Sequence, residues 1–132
     1  MTTHRFRAFA ALTIASTAAV GALWSAPAFA KSGDVVRTGA CSRTSDWKLK
    51  LGPRGGVIET QFEVDSNRVG QTWTVKITDN GAIVLQRTAK TVAPSGSFSV
   101  GVLATNHAGT DSFVATARNA ATGETCVGRA SV

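Results

Sequence analysis

Alternation of apolar and polar residues runs through most of the chain beyond residue 30, and it restricts the fold more than any other feature. Five segments show this period-two pattern: Trp47–Leu51, Ile58–Val64, Trp73–Ile77, Phe98–Val102 and Phe113–Ala117. Because successive side chains of a strand point to opposite faces, each segment is predicted to be a β-strand with one apolar face. No segment beyond residue 30 keeps a helical period for ten residues. We therefore predict an all-β fold.

Turn-forming residues separate these segments at the spacing typical of a β-sandwich. Weaker strands are expected near Asp34–Thr38 and Thr125–Ala130 and a longer one over Ala82–Val92, so we expect about 7–8 antiparallel strands. That many strands in roughly 100 residues cannot bury both faces of one open sheet. We predict two packed sheets forming a single β-sandwich domain over residues 31–132.

The alternation also assigns side chains to faces. Trp47, Phe62 and Trp73 fall on apolar rows, so we expect them in the core and not on an exposed sugar-binding platform. Lys48 and Lys50 fall on the polar row of one strand, and two glutamates fall on the polar row of the next. Cross-strand ion pairs between these rows would add only about 0.2–1 kcal/mol each.

The Asp79-Asn80-Gly81 sequence predicts a β-hairpin. A three-residue loop would place Ile77 opposite Ile83, whereas a two-residue turn would place Ile77 opposite Val84. The three-residue loop keeps the large apolar side chains on one face and places Gly81 where a left-handed residue precedes a bulge. We therefore expect the three-residue loop.

Residues 1–30 have the three-part organisation of a secretory signal peptide. Two arginines open the segment, an uncharged apolar stretch follows, and small side chains stand at Ala28 and Ala30 just before Lys31. Signal peptidase cuts after such a pattern. We expect a signal helix cleaved between Ala30 and Lys31, and hence a secreted, extracellular protein or one held in the cell envelope. An uncleaved signal would be the only membrane attachment, since its uncharged run is long enough to cross a bilayer.

Cys41 and Cys126 are the only two cysteines. An even number in a small exported domain predicts a disulfide bond. In the chain-entropy model, a bridge closing a loop of this length stabilises the fold by about 4–4.5 kcal/mol. A redox or metal pair is disfavoured because the spacing is not Cys-x-x-Cys and no histidine adjoins either cysteine.

Basic residues outnumber acidic ones, 14 to 8, for a formal net charge of +6, and the predicted signal holds two of the basic residues. The remaining ones are dispersed and lack the aromatic interleaving typical of single-strand nucleic-acid binders, so we expect no nucleic-acid partner. Excess positive charge outside the cell favours an anionic cell-wall polymer or another extracellular protein as partner. Charge that serves only solubility is the simpler interpretation.

His107 is the one histidine beyond the predicted signal, and it lies in a turn four residues before Asp111. Nucleophilic catalysis needs a nucleophile, a base and a group that orients the base, and the sequence has no Gly-x-Ser-x-Gly motif. We expect no catalytic residue and no cofactor. A small hydrolase using His107 is the alternative.

The turn that begins at Asp65 has the first features of a calcium loop, with Asn67 two residues later and Gly70 at the sixth position. Val69 supplies no side-chain oxygen, and Lys76 stands where a complete loop has glutamate. Asp65 and Asn67 are therefore only a weak calcium candidate, and a plain polar turn is the preferred interpretation. We expect no other metal site.

The segment Ala108-Gly109-Thr110-Asp111-Ser112-Phe113-Val114-Ala115-Thr116-Ala117 resembles the penultimate strand of bacterial immunoglobulin-like domains. The chain as a whole resembles small secreted actinobacterial proteins of unknown function, in segments that include Trp47-Lys48-Leu49-Lys50-Leu51, Gly70-Gln71-Thr72-Trp73 and Thr122-Gly123-Glu124-Thr125-Cys126. The resemblance implies an immunoglobulin-like sandwich and an extracellular location. It implies no catalytic or ligand-binding residue.

Together these features predict a non-enzymatic extracellular interaction or structural module. The hydrolase using His107 is one competing hypothesis. A secreted protease inhibitor is another, and it would present an exposed rigid loop such as Gly52–Gly56 or Ala93–Ser97.

Overall fold

The computed structural model describes residues 33–132, which form eight antiparallel strands and no helix. The strands are β1 Val35–Ala40, β2 Asp46–Arg54, β3 Val57–Asp65, β4 Thr72–Asp79, β5 Ala82–Lys90, β6 Ser97–Thr105, β7 Ser112–Arg118 and β8 Thr125–Ser131. The predicted all-β fold is therefore confirmed over these residues. The predicted signal peptide and its cleavage site at Ala28, Ala30 and Lys31 lie outside the described residues.

The strands form two four-stranded sheets that pack as a β-sandwich. The first sheet has the order β1-β2-β3-β6, and the second has the order β5-β4-β7-β8. The chain passes from one sheet to the other after β3, β5 and β6, and the other connections are hairpins within a sheet. Both inner faces supply the core, whose largest fully buried apolar side chains are Trp73, Phe62, Phe113, Leu49, Leu51, Ile58 and Ile77.

Trp47 lies where the edges of the two sheets approach each other. Its indole packs against Gly39 of β1 on one side and Gly128 of β8 on the other, and a Cβ atom at either glycine would come within 3.0 Å of the ring. The Phe62 ring lies 6.4 Å away between centroids. Trp47 is therefore packed against the core as expected, although it is only partly buried, because β1 and β8 are edge strands with glycine at the contact.

Cys41 and Cys126 form the predicted disulfide, with their Cα atoms 4.3 Å apart. Hydrogen bonds reinforce this end of the sandwich. The Ser45 amide and hydroxyl donate to the two carboxylate oxygens of Glu124 at 2.8 and 2.9 Å, and Glu124 is buried. The bridge and this buried carboxylate tie the β1–β2 loop of the first sheet to the start of β8 in the second.

The hairpin between β4 and β5 differs from the expected one. Asn80 and Gly81 have φ values of 47° and 84°, and they alone connect the paired ends of the two strands. The expected three-residue loop, with Ile77 opposite Ile83, is therefore wrong. Two consecutive positive φ values are what an Asn-Gly type I′ turn provides. A bulge farther along the ladder puts Ile77 opposite Leu85 on the inner face, whereas Ile83 lies opposite Thr78 and is exposed.

Candidate functional site

The outer face of the second sheet carries basic side chains and no acidic ones. Its outward-facing positions follow from the strand register, because residues directly opposite each other share a face. One row across the sheet runs Gln86, Lys76, Thr116, Val127, and the next runs Thr88, Thr74, Arg118, Thr125. Arg129 lies one row beyond Lys76, and Lys90 lies one row beyond Arg118. We call Lys76, Lys90, Arg118, Arg129 and the threonines between them the basic face.

The four cations of the basic face follow one another along the strands. Arg129, Lys76, Arg118 and Lys90 occupy four consecutive rows, one cation in each. Successive rows lie about 6.7 Å apart, because two residues of a strand advance the chain by about 3.3 Å each. The result is a staggered stripe of positive charge about 20 Å long. All four side chains are on exposed residues, and among the described residues none of them takes part in an ion pair.

The outer face of the first sheet is different, because its cations are paired with carboxylates. Lys48 Nζ lies 3.3 Å from Glu63 Oε2, which confirms the cross-strand pair expected from the sequence. Lys50 Nζ and Arg54 Nη1 lie 3.1 and 2.8 Å from the carboxylate of Asp34. Hydrogen bonds from Arg54 and Lys50 lower the pKa of Asp34 to about 2. The outer face of the first sheet therefore carries paired charges of both signs, whereas that of the second sheet carries cations without carboxylates.

A shallow groove crosses the centre of the basic face. It has a volume of about 340 Å³ and is lined by Thr74, Lys76, Gln86, Thr116, Arg118 and Ala120. A second groove, of about 450 Å³, also borders Thr74 and continues toward the β7–β8 loop. Hydroxyl and amide groups of the first groove can donate hydrogen bonds between the charged heads of Lys76 and Arg118. Such a surface fits an extended anionic chain lying along the strands.

A second cluster lies at one end of the sandwich, where three polar side chains meet. Asp79 ends β4, Asp111 directly precedes β7, and His107 lies in the β6–β7 loop. His107 Nδ1 is 2.7 Å from Asp111 Oδ1 and 3.3 Å from Asp79 Oδ2. Asp79 and Asp111 are 2% and 0% exposed, whereas about half of the His107 side chain (52%) is exposed. The cluster therefore has two buried carboxyl groups and one imidazole at the surface.

The two carboxyl groups of the cluster have different surroundings. Asp111 Oδ2 accepts a hydrogen bond from the His107 amide at 3.0 Å, and its Oδ1 accepts one from the Asn80 side chain at 3.3 Å. Neither carboxylate oxygen of Asp79 receives a hydrogen bond of good geometry from residues 33–132. Burial raises the pKa of Asp79, and the negative charge of Asp111 raises it further. Asp111 thus accepts hydrogen bonds that hold the loop in place, whereas Asp79 is a buried carboxyl group that lies 3.3 Å from His107 Nδ1.

The residues singled out from the sequence lie apart from the basic face. His107 is in a turn, as expected, but it contacts two carboxylates and is not simply solvated. Asp65 Oδ1 accepts a hydrogen bond from the Asn67 amide at 3.0 Å, and Asn67 has a φ of 55°. This geometry is a polar turn that caps its own backbone.

The two segments that could form the exposed loop of a protease inhibitor lie in different surroundings. Strand β2 extends through Arg54, so Gly52–Gly56 is mostly the end of a hairpin and not a free loop. Most of Ala93–Ser97 is exposed. Gly96 within it is buried, with the backbone of Arg68 packed where a side chain would lie.

Comparison with known proteins finds no relative of this chain. No protein-family model, no curated protein and no solved structure matches the chain. Within residues 33–132, no helix is long and apolar enough to span a membrane.

Proposed function

We propose that this protein is an exported, non-enzymatic binding module whose basic face holds an anionic, phosphate-bearing polymer of the cell wall. The observation that carries the proposal is the stripe formed by Arg129, Lys76, Arg118 and Lys90 on a face without carboxylates. Cations that serve only solubility are normally interspersed with anions, as they are on the first sheet. On the outer face of the second sheet, by contrast, the cations stand without acidic residues.

The chemistry of the basic face favours phosphate over uncharged sugar. Arginine presents a planar fork of donors that matches phosphate oxygens, and lysine supplies a compact positive charge. The surrounding threonine hydroxyls are short and can donate hydrogen bonds without blocking a polymer. A stripe with one cation in every row suits a chain that carries an anionic group on each short repeat.

Further features support export and an immunoglobulin-like architecture. The Cys41–Cys126 bridge is consistent with an extracellular protein, because disulfides persist in oxidising compartments, and residues 1–30 have the composition of a signal peptide. The strand order, with three connections that cross between sheets, supports an immunoglobulin-like sandwich. The resemblance of the β7 segment to bacterial immunoglobulin-like domains points the same way.

The test measures binding of the purified protein to poly(glycerol phosphate) at several salt concentrations. Replacing Lys76 and Arg118 by serine should weaken binding about tenfold or more at low salt. It should also reduce the slope of log affinity against log salt by about 1 to 2, because a protein that makes fewer ionic contacts with the polymer releases fewer counterions on binding. Polyglutamate and uncharged dextran serve as the carboxylate and neutral probes, and both should bind more weakly than the phosphate polymer.

The matched control replaces Lys48 and Lys50 by serine. This variant loses the same net charge from the first sheet, whose cations are already paired, so its affinity should change by less than about twofold. Equal weakening in both variants would mean that overall charge attracts the polymer, and the proposal for the basic face would then be wrong.

A further inference from the structure

The cluster of Asp79, His107 and Asp111 is separate from the basic face, and it contains one buried carboxyl group, that of Asp79, whose oxygens accept no hydrogen bond of good geometry from the described residues. Two carboxyl groups that are almost fully buried meet beside a single imidazole. A buried carboxylate requires hydrogen-bond donors or a cation, because its removal from water is otherwise very costly. Within the described part of the chain, neither Asp79 oxygen has a hydrogen-bond donor of good geometry, although His107 Nδ1 is only 3.3 Å away.

The three side chains bring their candidate donor atoms close enough together for one ion to reach all of them after a small adjustment. One nitrogen and two carboxylate oxygens, one from each residue, all lie within 4.8 Å of one another. Zn²⁺ binds histidine nitrogen and aspartate oxygen at about 2.0–2.2 Å, so ligand atoms around it are about 3.0–3.5 Å apart. The 3.3 Å separation of His107 Nδ1 from Asp79 Oδ2 meets this requirement. The 2.7 Å separation from Asp111 Oδ1 is that of a hydrogen bond, so the ion would take the place of the shared proton and the two atoms would move slightly apart.

We propose that Asp79, His107 and Asp111 bind one divalent transition-metal ion, and that Zn²⁺ fits this donor set best. An imidazole with two carboxylates suits Zn²⁺ better than Ca²⁺, which prefers six to eight oxygen ligands. About half of the His107 side chain is exposed, so water can reach an ion bound to it. The ion would supply the positive charge that Asp79 lacks and would join the β6–β7 loop to the end of β4.

The test uses Co²⁺ as a spectroscopic probe and Zn²⁺ as its competitor, added to the full-length protein after dialysis against a chelator. One equivalent of Co²⁺ should give visible d–d absorption bands, and Zn²⁺ should displace it. Asp79→Asn and His107→Gln should each weaken binding about tenfold or more and alter the bands, because each removes a ligand. Asp111 is left unchanged, since its hydrogen bonds to the loop backbone and to Asn80 are structural.

The matched control is Asp65→Asn, which makes the same chemical change in an exposed turn outside the cluster. Its metal affinity should equal that of the unchanged protein, and circular dichroism should show that all three variants remain folded. If no stoichiometric binding occurs at millimolar metal, a shared proton balances the two carboxyl groups and the assignment is wrong. Binding that persists unchanged in folded Asp79→Asn and His107→Gln would overturn it equally.

Discussion

Replacing Gly128 by alanine tests how the two sheets meet at Trp47. In the structure, a Cβ atom at Gly128 would lie 2.9 Å from two carbons of the Trp47 ring and 3.2 Å from Phe62 Cε2. Gly39 also lies against the indole, so closely that an added Cβ there would come within 2.6 Å of the ring, and the ring therefore has little room to move away from Gly128. The added methyl group must therefore push the sheets apart or force the tryptophan out of its rotamer.

The expected cost follows from two opposing effects. Overpacking a well-filled contact typically costs about 1–3 kcal/mol. Replacing glycine by alanine also stabilises the folded state by about 0.4–1 kcal/mol, because the unfolded chain loses conformational freedom. We expect a net loss of about 1–2 kcal/mol in the free energy of unfolding, which corresponds to a fall in Tm of roughly 4–16 °C for a domain of this size.

The matched control is Gly101→Ala in β6, where the added Cβ would meet only the Thr60 carbonyl oxygen at 3.4 Å. Urea denaturation followed by tryptophan fluorescence should show Gly101→Ala equal to or slightly more stable than the unchanged protein. Gly128→Ala should unfold at clearly lower urea. If the two variants have the same midpoint, the indole does not fill the space between Gly39 and Gly128 and the packing described at this edge is incorrect.

Three further predictions concern the disulfide end and the first sheet. Reducing the Cys41–Cys126 bond should lower the free energy of unfolding by about 4–4.5 kcal/mol, and a loss below about 1 kcal/mol in urea melts would contradict the loop-closure argument. Glu124→Ala should cost about 2–3 kcal/mol in the same assay, because it removes two buried hydrogen bonds to the β1–β2 loop. An NMR pH titration should find the Asp34 pKa at about 2, with the carboxylate contribution to stability present above its usual value of 3.8 and lost as pH falls toward 2. Arg54→Gln should raise that pKa toward 3.8, and an unchanged value would mean that this ion pair does not form in solution.

Most of the fold could be predicted because period-two alternation reports directly on which residues face the core. The alternating segments around Leu49, Phe62 and Val75 all became strands with the expected side chains buried. The predicted loop length of the β4–β5 hairpin was wrong because side-chain parity alone does not reveal a bulge. An Asn-Gly pair favours the two-residue turn, and the bulge that follows corrects the register one step later, between Ile77 and Thr78.

The candidate sites were harder to predict, for two different reasons. Lys76 and Arg118 are 42 positions apart in the chain, and only the pairing of β4 with β7 makes them neighbours on one face. The outward parity of both strands was visible in the sequence, so combining it with charge could have revealed the basic face. The cluster around Asp79 could not be predicted in this way. The alternation of β4 places Asp79 at an inward position at the end of the strand, but nothing in the neighbouring sequence indicates that Asp111 and His107 lie beside it.

The most direct test of the basic face is an NMR titration of the labelled protein with poly(glycerol phosphate). The account predicts amide shift changes concentrated in β4, β5, β7 and β8, largest near Lys76 and Arg118, with the outer face of β2 and β3 unaffected. Shift changes centred on the first sheet, or spread evenly over both sheets, would contradict it.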